Sequence, residues 1–579
     1  MLVERLPLVA TALRPDGTAE TSFRLELRRG DGGEVTLTVT CTADEPVEAG
    51  IRIELPLEAT DDPQWLVPGV FYGENRPAGS SPVYPRFVAG RTDLDTMESD
   101  SWSFRADRCA TPAVFGRGGG LLTAETSPVG QAGVGFAYRD GAPVIWLDFP
   151  FREEPLRYDG SETPAPPDVR TYRWEPGESV TLRFRQTDGD WRTALRPEQP
   201  VLESPAWVSV EAAAELAAWG LHRWHYRDDP PRLIETAAFD RNFAEFGDRD
   251  AMHVSWVSGA PYAYALLRHG RRVGNDDYIG EAEAVLDHIA ANLTPGGTFW
   301  SQWTASRGWT TGWHPDRARL HARTLADAAL FMFRAGGRWQ DAARSNVAVA
   351  VRTQRDDGAF PAAHHVETGD AMEWRGTAGL AWIPPLVEAG ELDAARAAGD
   401  YYRRFVDDGF LHGAPEDVDL APTSEDGYAA VMAYVALEDW ETARRAADWM
   451  LTFRYTYDVE FSPHTILGHY GFRARGADNA SPANPHLHSF GLICLPEMVR
   501  LARATGDEHY RETTRENLAC FRQFIAREDA DFGARRGMAT ERYYQTDCFG
   551  PKGDLLALSH AWSVGVLLYG CEEAMRLAL

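Results

Sequence analysis

The chain has 579 residues, of which 44% are hydrophobic and 25% charged, and its formal net charge is −28. Such a length predicts two or three domains rather than one core, and the composition is that of a folded chain. The acidic balance argues against nucleic acid or an anionic membrane as a partner. The sequence shows neither an apolar run of about 18 residues nor a secretory leader, so we expect a cytoplasmic protein that crosses no membrane.

The cysteines and tryptophans indicate which cofactors and ligands to expect. The six cysteines are scattered without a CxxC pair, so we expect buried thiols, with zinc ligation or disulfides as the less favoured alternatives. No nucleotide loop of the GxxxxGK[ST] type occurs, and we predict neither a metal nor another cofactor. Many of the 19 tryptophans lie in polar loops. Flat aromatic faces at a cleft are suited to stacking against sugar rings.

Residues 1–187 have the pattern of an antiparallel β-sandwich. Segments 22–27 and 34–42 alternate apolar and polar residues around the turn sequence RGDGG, which predicts a hairpin. Short alternating segments recur as far as residue 185, separated by Gly, Pro and Asp turns. An aromatic- and arginine-rich insertion at 65–105 is predicted to be a loop covering a sheet, with direct substrate contact as the alternative.

Helical periodicity begins after a proline-bearing linker at 188–205. From residue 206 onward the hydrophobic period is 3.6, and amphipathic segments alternate with more apolar ones. Each apolar segment follows a long loop, which pairs the segments as outer and inner helices. The twelve predicted helices are 210–224, 255–269, 278–292, 319–335, 342–354, 377–387, 392–406, 426–437, 440–452, 489–504, 510–526 and 557–575.

A sandwich, a linker and six helical hairpins resemble the six-hairpin glycosidase superfamily. The resemblance implies a multidomain α+β chain, with a β-sandwich at 1–187 and an (α/α)6 barrel at 206–579. Superfamily members with such a sandwich include bacterial glucoamylases, disaccharide phosphorylases and α-L-rhamnosidases. Lyases and sugar epimerases share the toroid, so the fold leaves the reaction open.

Glycosidic cleavage needs two carboxyl groups, one protonated and one ionised, and two loops supply candidates. Glu373 lies between Met372 and Trp374, whose apolar side chains would favour a protonated acid, and Asp370 is close in sequence. The resemblance to glucoamylases places the general acid in this loop. The alternative is that Glu373 and Asp370 only cap the following helix.

The last long loop carries the candidates for the base. The resemblance places the base of glucoamylase-like enzymes there, and Glu541 is our first choice with Asp547 second. Glu425 and Asp426 open another inner helix in the sequence Thr-Ser-Glu-Asp, for which helix capping is the favoured role. Either residue could also bind substrate hydroxyls or replace a catalytic carboxylate.

Aromatic and imidazole side chains in the same loops are predicted to bind the sugar. Four tryptophans fall in one polar loop and are predicted to form subsites, and neighbouring arginines could hold a carboxylate, which would indicate uronic acids. Histidines recur at the inner-helix entries. The predicted substrate-binding residues are Trp300, Trp303, Trp309, Trp313, His321, His365, Trp374, Arg375, Asp426, His488, Tyr543 and His560.

The sequence thus predicts a glycoside hydrolase acting on an oligosaccharide, with Glu373 as acid and Glu541 or Asp547 as base. The resemblance implies inversion of the anomeric centre, for which the carboxyls should stand roughly 6.5 to 9.5 Å apart. The main alternative is a lyase or epimerase that uses His or Tyr with Arg. A non-catalytic carbohydrate-binding protein is the second alternative. The sequence gives no oligomeric state.

Overall fold

The structure is a computed structural model that describes residues 7–80, 84–159, 163–196, 207–418 and 420–579. The chain is α+β, with strands dominating up to Thr187 and helices from Val210 onward. Residues 197–205 of the predicted linker lie outside the described residues, and its described part contains one helical turn at Trp191–Ala194. Within the described ranges, no helix combines the length and apolar character needed to cross a membrane.

The N-terminal part contains two antiparallel sheets, which we call the two-sheet domain. In order across the first sheet, the strands are Ser101–Arg105, Gly133–Arg139, Ala142–Phe149, Val47–Pro56, Val9–Leu13 and Ala19–Glu20, and Tyr172–Trp174 also pairs with Val47–Pro56. In the second sheet the order is Phe23–Arg29, Glu34–Cys41, Ser179–Thr187, Gly119–Thr123, Ala113–Gly116, Leu66–Val67 and Phe71–Tyr72.

Alternation of residue type builds the core between these sheets. Along Glu34–Cys41 every second residue from Val35 is buried, and Val47–Pro56 contributes Ile51 and Ile53 to the same apolar cluster. Since side chains alternate across a strand, the polar residues between them face outward. The predicted hairpin around RGDGG is confirmed, because Phe23–Arg29 pairs antiparallel with Glu34–Cys41.

The insertion at 65–105 joins the two-sheet domain to the helices. Tyr72 stacks on Phe453 with ring centroids 4.5 Å apart, and its hydroxyl lies 3.0 Å from the Thr452 hydroxyl. The backbone of Gly69 accepts a hydrogen bond from Asn479 at 2.7 Å. Tyr72 therefore belongs to an interface with the helices. Most other aromatic residues of the insertion lie in the core of the two-sheet domain, namely Trp65, Phe71, Phe87, Trp102 and Phe104.

Twelve helices of seven or more residues dominate the described residues from Val210 onward. The outer helices are α1 (Val210–Gly220), α3 (Asp276–Ala290), α5 (Gln340–Thr353), α7 (Leu392–Asp407), α9 (Trp440–Leu451) and α11 (His509–Phe521). The inner helices are α2 (Ala260–Val273), α4 (Ala322–Ala335), α6 (Ile383–Ala389), α8 (Ser424–Ala436), α10 (Leu495–Thr505) and α12 (Ala561–Leu577).

The inner helices close into a ring. They contact one another in the order α2, α4, α6, α8, α10, α12, and α12 returns to contact α2. Each outer helix packs on an inner partner, with α1 on α12, so the predicted toroid of six helical hairpins is present. The large inner surfaces explain why segments such as α12 are buried over most of their length.

Five inner helices begin at least three residues later than predicted, and three of them show the physical reason. The segment predicted at 377–387 begins as a 3-10 turn, Ala378–Trp382, and becomes α-helical only where Pro384 and Pro385 occupy the first turn. Proline has no N–H and is tolerated there because first-turn N–H groups have no helical partner. Pro496 has the same effect on α10, and the start predicted at 557 is a strand, Leu558–His560.

Glycine at the closure of the ring gives a stability prediction. A Cβ on Gly565 of α12 would overlap the ring of Tyr262 on α2, whereas a Cβ on Gly280 of α3 would meet open space. We expect Gly565→Ala to destabilise the protein by about 1–3 kcal/mol through overpacking. The matched Gly280→Ala should stabilise it by roughly 0.5–1 kcal/mol. Guanidinium unfolding followed by circular dichroism measures both, and a Gly565→Ala protein as stable as the parent would contradict the close approach.

Candidate active site

Short strands surround the end of the toroid at which the inner helices begin, and we call this end the mouth. Leu558–His560 pairs with Thr236–Ala238, and Arg319–His321 pairs with Ala363–His365. Similar pairs precede α2 and α10. Because these strands lead directly into inner helices, their polar side chains converge around one funnel. The other pairs are Ala251–His253 with Gln302–Thr304, and Asp478–Asn479 with Leu487–His488.

One carboxylate at the mouth is nearly buried and held by an imidazole. Glu416 Oε2 accepts a hydrogen bond from the Thr324 hydroxyl and lies 3.5 Å from His253 Nε2. His253 stacks on Trp313 with ring centroids 5.2 Å apart. Burial would raise the pKa of Glu416, but the hydrogen bond and charge of His253 outweigh it and lower the pKa to about 2. Glu416 is therefore ionised at neutral pH.

The next residue, Asp417, has the opposite tendency. Asp417 is exposed to solvent and lines a cavity of about 280 Å³. Desolvation, followed by the charge of Glu425, raises the pKa of Asp417 to about 7, while Arg323 acts against both. Two adjacent carboxyls thus have widely separated pKa values, which is the condition for acid and base chemistry in one site. Other side chains lining the cavity are His314, Arg319, His321, Arg375 and Glu416.

An ion pair on the inner helices forms the funnel wall. Arg323 on α4 pairs with Glu425 at the start of α8, and its Nε lies 3.3 Å from Asp327 Oδ2. Its guanidinium carbon lies 4.8 Å from the ring of Trp256 and 5.1 Å from the ring of Phe490. Desolvation raises the pKa of Asp327 against the influence of Arg323. The wall therefore combines aromatic surface with fixed charge.

Glu541 lies at the entry to α12 and is held by three side chains. Its Oε2 accepts a hydrogen bond from Trp562 Nε1 at 3.1 Å, and Oε1 accepts one from Arg542 Nε at 2.7 Å. His560 Nε2 lies 3.6 Å from Oε1. Burial would raise the pKa of Glu541, but His560, Arg542 and Trp562 outweigh it and lower the pKa. The carboxylate is therefore ionised and fixed in orientation.

His488 links the two carboxylate groups. Its Nε2 lies 2.8 Å from the Ser424 hydroxyl on α8. Burial lowers the pKa of His488, and the charges of Glu425 and Glu541 both act on it in the opposite direction. Contacts also join the two groups, because Phe490 lies beneath the Arg323 guanidinium and packs on Trp562, which donates a hydrogen bond to Glu541.

The loop predicted to carry the acid forms a strand, Ala371–Glu373, beside Ala363–His365. Glu373 Oε2 accepts a hydrogen bond from Arg319 Nη2 at 2.9 Å, and Oε1 pairs with Arg375. Asp370 is exposed, and Trp374 is 40% exposed with Arg355 near its ring. Of this group, Arg375 lines the cavity, and Glu373 contacts two of the lining arginines, Arg319 and Arg375.

The four predicted subsite tryptophans occupy different places. Trp313 lies at the funnel beside His253. Trp303 and Trp309 face each other across a hairpin, and Trp309 packs on His288 of the outer helix α3 with centroids 4.9 Å apart. Trp300 is half-buried against the core. Trp303 and Trp309 thus lie near His288 of the outer helix α3. Trp313 instead packs on His253 and Trp256 at the funnel.

Several other predicted residues have structural contacts. Asp547 pairs with Arg105 of the two-sheet domain, and Tyr543 stacks on Phe524 within the core. The capping box predicted from Thr423 and Asp426 is present. Among the remaining predicted residues, His321, His488 and His560 are buried at the mouth, whereas His365 is half-buried and accepts the Glu367 N–H.

The sequence reasoning missed Glu416, Asp417, His253 and Trp256. An acidic run, Pro-Glu-Asp-Val-Asp at 415–419, precedes the fourth inner helix in the same way that Glu541 precedes the sixth. That run was the available signal for Glu416 and Asp417. His253 lies in an apolar segment, and its contact with Glu416 joins residues more than 160 positions apart in the chain, so no local pattern indicates it.

The cysteines offer no reactive or metal-binding group. All six are buried free thiols, as predicted. Burial raises the pKa of Cys109, Cys494 and Cys520, which keeps these thiols protonated. Across the described ranges, no three His, Cys, Asp or Glu side chains are grouped in a way that would hold a metal ion.

Comparisons with known proteins return similarity of structure alone. No family model and no curated relative matches the chain. A polysaccharide lyase is 12% identical with a TM-score of 0.46, covering 98% of this chain and 89% of its own. A family 76 glycoside hydrolase from a bovine Bacteroides thetaiotaomicron strain is 10% identical with a TM-score of 0.42, covering 96% and 98%. Cellobiose 2-epimerase from Spirochaeta thermophila is 11% identical with a TM-score of 0.42, covering 64% and 98%.

At these identities the solved structures carry no argument about the reaction. The ring of six hairpins in the chain itself supports the resemblance to the six-hairpin glycosidase superfamily, at the level of fold. The reaction has to be inferred from the side chains of the funnel.

A buried ion pair supports the strand that carries His488. Asp478 is paired with His488 across two short strands, and its Oδ1 accepts a hydrogen bond from Arg454 Nε at 2.8 Å. Its Oδ2 accepts further hydrogen bonds from the Tyr428 hydroxyl at 3.0 Å and Asn517 Nδ2 at 3.1 Å. The side chains of Asp478 and Arg454 are 1% and 5% exposed.

We expect Asp478→Asn to destabilise the protein by about 3–5 kcal/mol, because it leaves the Arg454 charge buried without its counter-ion. Asp407→Asn is the matched control, since its pair with Arg445 is on the surface and should be worth no more than ~1 kcal/mol. Urea unfolding of both variants measures the difference. If both substitutions lower the free energy of unfolding by the same amount, the buried Asp478–Arg454 pair does not stabilise the mouth more than a surface pair does.

Proposed function

We propose that the protein is a carbohydrate-active enzyme that hydrolyses glycosidic bonds with two carboxyl groups. The observation that carries the proposal is that contacts join the loops of Asp417, Glu425 and Glu541. Glu416, next to Asp417, accepts a hydrogen bond from Thr324 of α4, and the neighbouring Arg323 pairs with Glu425. Arg323 also lies over the ring of Phe490, which packs on Trp562, the hydrogen-bond donor to Glu541. Glycoside hydrolysis requires a protonated and an ionised carboxyl on either side of the scissile bond. This funnel offers both states at neutral pH.

Asp417 is the proposed general acid. With its pKa raised to about 7, a large fraction of Asp417 is protonated at neutral pH. It is accessible from the cavity, so it can donate its proton to a leaving oxygen. The placement favours Asp417 over Glu373, because both oxygens of Glu373 are already engaged by arginines.

Glu541 is the proposed general base, as predicted from its loop. Its lowered pKa keeps it ionised, and the Trp562 and Arg542 hydrogen bonds fix its orientation. An ionised carboxylate of fixed position can accept a proton from an attacking water. Asp417 and Glu541 come from loops that enter different inner helices, α8 and α12, and we propose that water attacks between them with inversion.

Aromatic side chains supply the proposed sugar-binding surface. Trp256 and Trp313 meet edge to face with centroids 5.8 Å apart, and Phe490 meets Trp562 in the same manner at 5.7 Å. These four rings lie beside Glu416, Arg323, His488 and Glu541. Aromatic faces next to hydrogen-bonding groups are suited to the apolar faces and hydroxyls of a pyranose ring.

An epimerase is the second candidate, because one observation favours it. His321 is buried, its Nδ1 has no hydrogen-bond partner among the described residues, and burial lowers its pKa to about 3. Burial also lowers the pKa of His488 and His560. Of these imidazoles, His321 lines the cavity, so its neutral ring can accept the proton next to a carbonyl that an epimerase removes. Its lowered pKa makes it a weak base, which places this reaction second.

Substitution of the two carboxyls tests the hydrolase. A panel of aryl glycosides and oligosaccharides first identifies a cleaved substrate, with product anomers followed by NMR. We expect Asp417→Asn and Glu541→Gln each to lower kcat by about 10²–10⁴, because each removes one proton-transfer group. Glu367→Gln is the control, since Glu367 is an exposed carboxyl that contacts neither group.

The two candidate reactions differ in outcome. In an epimerase, the same carboxyl variants would retain turnover, whereas His321→Asn would lose it, and solvent deuterium would enter the sugar product. Full activity in both Asp417→Asn and Glu541→Gln rules out the two-carboxylate mechanism.

The alkaline limb of the pH profile of kcat/KM should report the pKa of Asp417. Hydrolysis requires its proton, so kcat/KM is expected to fall as pH rises through about 7. Glu425→Gln removes a negative charge that raises this pKa, and it leaves Arg323 to lower the pKa further. The limb should therefore move to lower pH by roughly one unit or more. Glu388→Gln, an exposed residue on α6, should leave it unchanged; a limb that stays in place in Glu425→Gln contradicts the assignment.

A further inference from the structure

The arginines of the funnel are already paired with carboxylates. Arg323 pairs with Glu425 and lies 3.3 Å from Asp327, and Arg542 hydrogen-bonds to Glu541 at 2.7 Å. Arg319 and Arg375 bind opposite oxygens of a single residue, Glu373. A substrate carboxylate would have to compete with a resident one at each of these four guanidinium groups.

The Arg319–Arg375 pair is the part of this arrangement that faces open space. Both arginines line the cavity of about 280 Å³ that also contains Asp417. Two guanidinium groups at one cavity are the usual means of binding a planar carboxylate. Glu373 contacts both arginines and supplies such a carboxylate from within the chain.

The described side chains around the funnel offer no excess positive charge to a further anion. Arg319, Arg323, Arg375 and Arg542 face the carboxylates of Glu373, Glu416, Glu425 and Glu541, so the charges cancel even when Asp327 and Asp417 are both protonated. An incoming uronate would place another negative charge among these carboxylates. Like charges brought together in a desolvated site cost several kcal/mol, on the order of a thousandfold in affinity.

We propose that Glu373 is an internal counter-ion that closes the Arg319–Arg375 pair to acidic sugars, so that the substrate is an uncharged oligosaccharide. The statement about the substrate rests on the proposed function, whereas the closing of the arginine pair can be tested by binding alone. Glu373 is then a specificity-determining residue, and removing its charge should create an anion site.

The test compares D-glucuronate with its uncharged counterpart D-glucose. Isothermal titration would be carried out on the full chain, on Glu373→Gln and on Glu367→Gln, an exposed carboxyl of the same hairpin. We expect Glu373→Gln to gain about tenfold or more in affinity for glucuronate, because the carboxylate that competes with it for Arg319 and Arg375 is removed. Glucose binding should not change by that factor, and the gain should weaken as salt is raised.

A double substitution assigns the gain to the arginine pair. Glu373→Gln with Arg375→Ala should lose the added glucuronate affinity, and thermal melting confirms that each variant is folded. The proposal is overturned if Glu373→Gln shows no gain, if the double variant keeps the gain, or if the parent protein binds glucuronate as tightly as glucose.

Failure of this inference is separate from failure of the proposed function. Cleavage of a uronate-containing oligosaccharide by the parent protein, lost in Asp417→Asn, would overturn the inference and leave the two-carboxylate mechanism standing. Full turnover in Asp417→Asn would remove the mechanism, while a gain of glucuronate binding in Glu373→Gln would still support the counter-ion role.

Discussion

Closure of the inner ring is the constraint on which the rest of the structure depends. Gly565 of α12 lies against Tyr262 of α2, so the last inner helix meets the first without a gap. Once the ring is closed, all six inner helices begin at the same end, and the chain segments before them are forced together there. Residues from 253 to 560 then share one funnel although they are far apart in sequence. The chemistry of the mouth therefore follows from a packing contact between two helices.

Because the loops meet at the mouth, neighbouring carboxyl groups there have different partners and therefore different pKa values. Glu416 and Asp417 are adjacent in sequence, yet His253 holds one ionised, while desolvation and Glu425 favour the proton on the other. Fixed partners of opposite sign stabilise a carboxylate, whereas a neighbouring carboxylate and low polarity destabilise it. Arg323 acts on both sides of this balance, because it pairs with Glu425 and opposes the rise in pKa at Asp417. One ion pair thus tunes the group proposed as acid.

Periodicity predicted the fold well, because a ring of hairpins repeats the same alternation of outer and inner helices. It did not predict helix starts where proline intervened, as at Pro384, or where a strand such as Leu558–His560 precedes the helix. The site was predicted less completely. Glu541 follows from its position before an inner helix, but composition cannot distinguish Glu373, which two arginines engage, from Asp417, which faces a cavity. That distinction arises from contacts between loops, which no local pattern records.

The two-sheet domain also reaches the mouth. Arg105, which is 8% exposed, pairs with Asp547, and Lys552 lies 3.2 Å from Asp107, so two charged contacts hold the loop that begins at Glu541. That loop is also tied to the core by Tyr543, stacked on Phe524. A base must keep a fixed position relative to its acid, because proton transfer falls off steeply with small displacements. The loop of Asp417 contacts the N-terminal part as well, because Val418 and Ala421 pack with Tyr84. The loops of the proposed acid and the proposed base are therefore both held from the two domains. The interface between the domains is therefore part of what sets the geometry of the funnel.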